Sequence, residues 1–136
     1  MSEVKVEDWM HRGVITCRRD TPAAEVATIM DSNDISALVV VNLQGAAVGV
    51  ISRIDLINAR FVQPYMKHWR GLNAEHLMTK PVISVSPDTT VAEAVQMLNE
   101  KHIHRLVVVE DRVKPIGILS VTDLAKHVSD KRIGEE

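Results

Sequence analysis

The sequence repeats itself at a constant offset of 68 residues. Residues 10–56 align with residues 78–124 without a gap and share 16 identities in 47 positions. The segment LVVV occurs once in each copy, and the heptads GVISRID (49–55) and GILSVTD (117–123) share the pattern Gly-x-x-Ser-x-x-Asp. One copy alone is too small to bury both faces of a short sheet. The repeat therefore predicts two similar halves that share one core.

Each copy predicts the element order β-α-β-β-α. The first strands are expected at 14–17 and 82–85. Apolar residues then follow the i, i+3, i+4, i+7 spacing of an amphipathic helix, at 23, 26, 27 and 30 and again at 91, 94, 95 and 98. Thr21–Pro22 predicts a capping residue before a first-turn proline, and Thr90 with Glu93 predicts a capping box. Two strands joined by hairpin-length connections follow, at Leu43–Ala46 and Asp111–Lys114, and a second helix begins after the Ser of the heptad.

These elements predict an α+β (mixed α/β) fold. Tandem β-α-β-β-α repeats are expected to be related by a pseudo-two-fold axis, with two small sheets packed together and the helices outside. Repeat 1 is assigned to residues 1–62, a linker to 63–74 and repeat 2 to 75–136. Pro64 is expected to end the preceding helix near Phe61–Val62. The amphipathic stretch YMKHWRG (65–71) either covers the edge of the core or contacts a second subunit.

Composition narrows the class of protein. The net charge of −2 and the pI of about 6.3 argue against a surface that follows nucleic-acid phosphates. The N-terminal residues lack the apolar stretch of a signal peptide, and no apolar run is long enough to span a bilayer. The single cysteine, Cys17, cannot form an intramolecular disulfide and suits a reducing compartment. We therefore predict a soluble cytoplasmic protein.

The doubled heptad has two compatible interpretations. Ser52 and Asp55 have the spacing of a capping box, with Gly49 as a close-packing strand residue. The same helix start also collects free backbone N–H groups that attract phosphate. An Asp one turn later is an acceptor that suits the two hydroxyls of a ribose. The heptads therefore either cap two helices or form two nucleotide sites, or do both.

The ordered segments LMTKPVISVSPDTTVAEAVQML, HRLVVVE and GILSVTDL, with their counterparts in the first copy, resemble the cystathionine β-synthase (CBS) domain pair, or Bateman module. The resemblance covers nearly the whole chain. It implies a module that binds adenosyl ligands, most often AMP, ADP or ATP, and in some members S-adenosylmethionine, NAD or a cyclic dinucleotide. It also implies a homodimer in which two pairs form a flat disc.

The resemblance also implies site residues. In the family, the Asp of the motif holds the ribose, and residues at the His104 and Arg105 positions reach the phosphates, often across the pseudo-two-fold. One expected site combines Ser52 and Asp55 with His104 and Arg105, and places Thr16 and the backbone of Val14 and Ile15 at the base. The other combines Ser120 and Asp123 with Ser36 and Ala37, and places Val82 and Ser84 near the base. Because Ser36 and Ala37 bring no charge, the Asp55 site is expected to bind phosphates more tightly.

No catalytic or metal constellation is present in the sequence. His102 and His104 alternate and share a face if extended, but nothing obvious supplies a third ligand. Cys17 aligns with Val85, which favours a core residue over a nucleophile. We predict no enzymatic turnover, no metal and no required cofactor. The predicted function is an adenine-nucleotide sensor that signals to an unidentified protein target. The alternative is a ligand-independent dimeric interaction protein.

Overall fold

Both β-α-β-β-α repeats are present in the computed structural model, which describes residues 3–62 and 65–129 and, for residues 65–67, the backbone alone. The first repeat contains β2 (Thr16–Arg18), α2 (Ala23–Ser32), β3 (Ala37–Val41), β4 (Ala47–Ser52) and α3 (Arg53–Phe61). The second contains β5 (Ser84–Val85), α5 (Val91–Lys101), β6 (Arg105–Glu110), β7 (Lys114–Ser120) and α6 (Val121–Ala125). Before the first repeat lie α1 (Val6–Trp9) and β1 (His11–Arg12), and between the repeats lie a 3₁₀ helix (Tyr65–Gly71) and α4 (Ala74–Leu77).

Two small sheets contain all of these strands, which confirms the mixed α+β class. β2, β3 and β4 form one sheet in that order, and the other has the order β1-β7-β6-β5. In each repeat the first strand runs parallel to the second, and the second pairs antiparallel with the third. The central strand β3 is buried along its whole length.

The helical stripes were predicted correctly, and one of the two predicted helix starts was wrong. The Thr90 side chain accepts from the Glu93 N–H at 3.1 Å, as a capping box requires. Thr21 is not a cap, because α2 begins at Ala23 with Pro22 in the capping position, and the Thr21 hydroxyl accepts from the Arg18 N–H at 3.1 Å. The first amide of α2, that of Ala23, donates instead to the Leu72 carbonyl at 2.9 Å, so a later segment of the chain completes this helix start.

The segment that precedes each repeat packs with the other repeat. One compact unit comprises the described residues up to Val14 and from Ile83 onward, and the other comprises Ile15–Val82. The hydrogen bonds are equivalent in the two units: the Val6 N–H donates to the Thr89 carbonyl and the Ala74 N–H to the Thr21 carbonyl, both at 2.8 Å. The two donors are 68 positions apart and so are the two acceptors, so the two bonds are equivalent in the repeat. Each repeat therefore binds the segment that precedes the other repeat, an arrangement that we call the exchange of segments.

Each unit has its own aliphatic core. In the first, Val6 and Trp9 of α1 join Leu106, Val108 and Leu119 of the sheet. In the second, the core residues that lie on the sheet and α2 are Cys17, Ala23, Val26, Met30, Leu38, Val40 and Ile51. No helix in the described part of the chain combines the length and the apolar character needed to cross a membrane.

The linker covers the edge of a core, which was the first of the two predicted alternatives. Leu72 is buried in the core of the Ile15–Val82 unit, and Trp69 packs against it half-buried. The preceding helix α3 ends at Phe61 with Val62 as its C-cap, as predicted from Pro64. Pro64 itself lies outside the described residues.

Candidate ligand-binding site

The glycine of each heptad leaves room for the segment that precedes the other repeat, because a side chain there would collide with it. A Cβ atom built on Gly49 would lie 2.7 Å from Met78 Cγ and 2.8 Å from Met78 Cβ. A Cβ on Gly117 would lie 2.7 Å from the His11 carbonyl oxygen and 2.8 Å from Met10 Sδ. Met10 and Met78 are equivalent in the repeat, so the same close approach occurs twice. The prediction that this glycine is a close-packing strand residue is confirmed.

The serine and aspartate of each heptad form a complete capping box. Asp55 Oδ2 accepts from the Ser52 N–H at 2.8 Å and from the Ser52 hydroxyl at 3.0 Å. The Asp55 N–H donates back to the Ser52 hydroxyl at 3.4 Å. In the second repeat the same three distances, between Ser120 and Asp123, are 2.9, 3.0 and 3.3 Å. The capping interpretation is therefore confirmed in both copies.

The capping box leaves one carboxylate oxygen available. Asp55 Oδ1 has no hydrogen-bond partner among the described residues, and the residue is half-buried. Ser52 is buried and its only hydroxyl hydrogen is donated to Asp55. A ligand at this helix start would thus meet an acceptor oxygen of Asp55 first. The Ser52 hydroxyl would have to leave the cap in order to donate to a phosphate.

Sheet topology gathers the predicted residues of the first repeat at one end of its sheet. Because β2 and β3 are parallel, Thr16 and Ala37, which begin these strands, lie near the same end of the sheet. Antiparallel pairing of β3 with β4 brings Ser52 opposite Ala37 at that end. The Ser36 carbonyl accepts from the Arg53 N–H at 3.0 Å, which joins this loop to the start of α3. Thr16 and Ser36 are exposed, whereas Ala37 is buried.

The second repeat gathers its own set in the same way. Arg105 lies opposite Ser120 in the ladder, and Ser84 lies beside Val107 of the same strand. The His104 carbonyl accepts from the Val121 N–H at 2.9 Å. Ser84, Arg105 and Asp123 are half-buried, and His104 is exposed.

The remaining predicted base contacts lie at the starts of the two edge strands. Val14 and Val82 come two residues before β2 and β5, and both are half-buried, as is Ile15. The Ile15 carbonyl accepts from the Val39 N–H at 3.1 Å, so that oxygen already forms a hydrogen bond with β3. The strands therefore begin two residues later than predicted. The pairing of Asp55 with His104 and Arg105, which belong to different units, stays a prediction.

His102 and His104 do line one cavity, although not through an extended segment. His102 ends α5 in the left-handed conformation, with φ of 55° and ψ of 45°. The cavity, of about 320 Å³, lies within one unit and is lined by Val95, Leu98, Asn99, His102, Ile103, His104, Val121 and Leu124. Its walls are mostly apolar. Among the described residues, no group of three or more His, Cys, Asp or Glu side chains is placed to hold a metal ion.

Sequence reasoning missed Arg53. Its Nε donates to the Ile35 carbonyl at 3.0 Å, and its Nη2 lies 3.2 Å from Asp34 Oδ1. The second repeat has Val121 at this position, so the contrast between the two heptads was the available signal. Arg53 ties the start of α3 to the loop that contains Ser36, and Asp34 of that loop opposes its charge.

Cys17 is a core residue, as predicted from its alignment with Val85. It is 7% exposed and packs with Val26 and Leu38 in the same core. Burial raises the pKa of the thiol from its ordinary 9.0 to about 11, a rise that Glu25 adds to and a hydrogen bond with Thr21 opposes. Such a thiol is protonated near neutral pH and is a poor nucleophile.

Comparison with known proteins settles the family. The family model of the CBS domain matches twice, at residues 6–61 and 74–130. The chain belongs to the CBS domain family. The two matches reproduce the internal repeat, so the resemblance read from the heptads and the LVVV segments is confirmed.

The curated relatives are longer than this chain, and a solved structure shares its fold. An uncharacterised protein of Methanopyrus kandleri, MK0525, is 35% identical over 91% of this chain and 62% of its own length. The gamma-3 subunit of the pig 5′-AMP-activated protein kinase is 32% identical over 82% of this chain, which spans only 24% of that subunit. The CBS domain pair of protein MJ0100, solved in complex with 5′-methylthioadenosine and S-adenosyl-L-methionine, superposes with a TM-score of 0.84. It covers 96% of this chain and 99% of that chain at 24% identity, which shows a shared fold.

Proposed function

We propose that this CBS pair is a regulatory module that binds an adenosine nucleotide, AMP, ADP or ATP, and passes the change to a partner protein. The helix start of α3 is the principal binding element. Asp55 receives the ribose hydroxyls, and His104 and Arg105, just before and at the start of β6, receive the phosphates. The module itself carries out no chemical reaction.

The observation that carries this proposal is the unused carboxylate oxygen of Asp55 at the start of a nine-residue helix. The capping box already holds this side chain in one orientation, so little conformational entropy is lost when a ligand binds. An ionised carboxylate is purely an acceptor and accepts from two adjacent hydroxyls, which adenosine supplies and a deoxyribose does not. A charge-assisted hydrogen bond of this kind contributes about 1.5–3 kcal/mol.

The relatives support an adenosyl ligand. The kinase subunit that matches most of this chain belongs to an enzyme whose activator is AMP. The MJ0100 pair, which has the same fold, was solved with two other adenosyl compounds. The adenosyl group is common to both, whereas the phosphates are not. The choice of a nucleotide for this chain rests on His104 and Arg105.

A thermal-shift screen tests the proposal. Unfolding of the wild-type protein is followed with and without AMP, ADP, ATP, NAD and S-adenosylmethionine. A ligand present at 100 times its Kd adds about 2.7 kcal/mol to the free energy of unfolding. We expect an adenosine nucleotide to raise Tm, and 2′-deoxy-AMP to raise it less than AMP. If all five ligands leave Tm unchanged, the proposal is wrong. That result would favour the alternative, a ligand-independent dimeric interaction protein.

We also propose that the module is a homodimer. Ile54, Ile57 and Phe61 lie on one face of α3 and are 57%, 48% and 69% exposed, which is unusual for a contiguous apolar stripe. A second copy of the chain would cover this stripe through a self-complementary contact. Sedimentation should give a dimer for the wild type and a monomer for Ile57→Glu. Leu43→Glu, at an 82% exposed hairpin position, is the matched control and should stay dimeric. A wild-type monomer of 15.1 kDa at tens of micromolar protein would contradict the proposal.

A further inference from the structure

A second cavity lies at the C-terminal end of α3, whereas the heptad lies at the start of that helix. It has a volume of about 670 Å³, within the range of small-molecule sites. The residues that line it are Arg60, His68, Trp69, Arg70, Gly71, Leu72 and His76. All of them belong to the Ile15–Val82 unit and lie near the end of α3, in the 3₁₀ helix, just after it at Leu72, and in α4.

The described residues that line the cavity include two arginines and no acidic side chain. Arg60 and Arg70 form no ion pair with any described residue. The nearest acidic residue in the sequence is Glu75, and its carboxylate lies 3.8 Å from Arg19, outside the cavity. A chain with a net charge of −2 therefore concentrates two arginines and two histidines in one concave surface. Such a surface attracts anions.

The first arginine is held in place by aromatic rings. The Arg60 guanidinium carbon lies 5.6 Å from the Trp69 ring centroid and 5.9 Å from that of Phe61. Cation–π contacts of this kind restrict the guanidinium without using its N–H groups as hydrogen-bond donors to an acceptor atom, so these donors can still bind an anion. A planar guanidinium that is already oriented binds phosphate in a bidentate manner with little further loss of entropy.

The histidine at the start of α4 presents a donor. The Asn73 N–H donates to His76 Nδ1 at 3.0 Å, so the neutral ring carries its hydrogen on Nε2. This bond also fixes the ring on the α4 side of the cavity. Trp69, which is half-buried, and Leu72, which is buried, supply an apolar wall beside these donors. The combination of an anion clamp and an apolar wall suits a phosphate group attached to a small organic body.

We propose that this cavity, which we call the linker pocket, is a binding site for a small phosphorylated ligand whose phosphate lies between Arg60 and Arg70. A single-stranded nucleic acid is less suitable, because the chain has a net charge of −2 and proteins that follow a phosphate backbone usually carry a basic excess. The site is independent of the adenosine site proposed at Asp55, which uses none of these residues.

Nuclear magnetic resonance with inorganic pyrophosphate and phenyl phosphate as probes tests this proposal. The two indole N–H signals belong to Trp9 and Trp69, and Trp69→Phe assigns them. We expect both probes to shift the Trp69 and Gly71 signals and to saturate with a Kd of about 1 mM or tighter, while Trp9 does not move. Arg60→Gln and Arg70→Gln should each weaken binding about tenfold or more. Arg18→Gln, an exposed arginine of the same unit outside the pocket, is the matched control and should bind as the wild type does.

Three results would overturn the proposal. The first is that neither probe moves the Trp69 and Gly71 signals. The second is that Arg60→Gln and Arg70→Gln bind as tightly as Arg18→Gln does. The third is that a short RNA oligonucleotide shifts these signals at concentrations where pyrophosphate and phenyl phosphate do not. The double variant His104→Gln/Arg105→Gln separates this site from the adenosine site, because it removes the side chains proposed to receive the phosphates there and leaves the linker pocket intact. It should keep pyrophosphate binding, and a loss of binding in this variant would be a fourth result against the proposal, since the anion would then enter the heptad site instead.

Discussion

Replacing Gly117 by alanine tests whether the N-terminal segment really packs on the second repeat. The added methyl group would lie 2.7 Å from the His11 carbonyl oxygen, which belongs to the paired strand β1 and cannot move without breaking that pairing. Overpacking of this kind typically costs about 1–3 kcal/mol. For a chain of this length, we expect Tm to fall by about 3–15 °C.

Urea denaturation followed by circular dichroism measures this effect, with Gly71→Ala as the matched control. Among the described residues, apart from the chain neighbours and the helix's own backbone, no atom lies within 4 Å of a Cβ built on Gly71, so its substitution should leave stability unchanged or raise it by up to about 1 kcal/mol. The three atoms nearest to a Cβ built on Gly49 all belong to the Met78 side chain, so Met78→Ala in the same chain as Gly49→Ala should restore part of the lost stability. If Gly117→Ala is as stable as Gly71→Ala, β1 does not lie against β7 and the exchange of segments is wrong.

Two further predictions concern single side chains. Because burial raises the pKa of Cys17 to about 11, its thiolate forms more readily in the unfolded chain, and the thiol's contribution to stability is lost as pH rises from about 9 through 11. Cys17→Val, which places the residue of Val85 at the equivalent position, should not show this loss of stability. The urea midpoints of both proteins at pH 8 and pH 10.5 measure the loss. An equal loss in the wild type and in Cys17→Val would refute the assignment of the loss to the Cys17 thiol. Leu38→Ala and Leu106→Ala, at equivalent fully buried positions, should each cost about 2–5 kcal/mol in thermal unfolding. A cost below about 1 kcal/mol at either position would contradict the description of the two cores.

The sequence predicted those parts of the fold that depend on local pattern and on the repeat. The segment RLVVVE is β6 itself, and the i, i+3, i+4, i+7 stripes are the buried faces of α2 and α5. The helices α1 and α4 were not predicted, because four residues are too few to show a period. The start of α2 was misplaced because its first amide is satisfied by Leu72, a contact that no local pattern records.

The candidate site was also predictable where it depends on local spacing within the repeat. Ser52 with Asp55 and Ser120 with Asp123 were visible as spaced pairs, and both form the expected box. The role of Arg53 depends on the path of the loop before β3, and the linker pocket depends on how the 3₁₀ helix folds back on α3. Contacts of this kind are set by tertiary packing and leave no spacing rule in the sequence.

The central claim is that Asp55 binds a ligand as well as capping a helix, and calorimetric titration of AMP into matched variants tests it most directly. Glu93 makes the same kind of capping box with Thr90, at 2.8 Å from the hydroxyl, but lies outside the proposed site. Asp55→Ala and Glu93→Ala should therefore lose similar stability, about 1 kcal/mol each. The account predicts that Glu93→Ala binds AMP as the wild type does and that Asp55→Ala binds about 10- to 150-fold more weakly. Equal AMP affinity in all three proteins, or no heat of binding in the wild type, would contradict it.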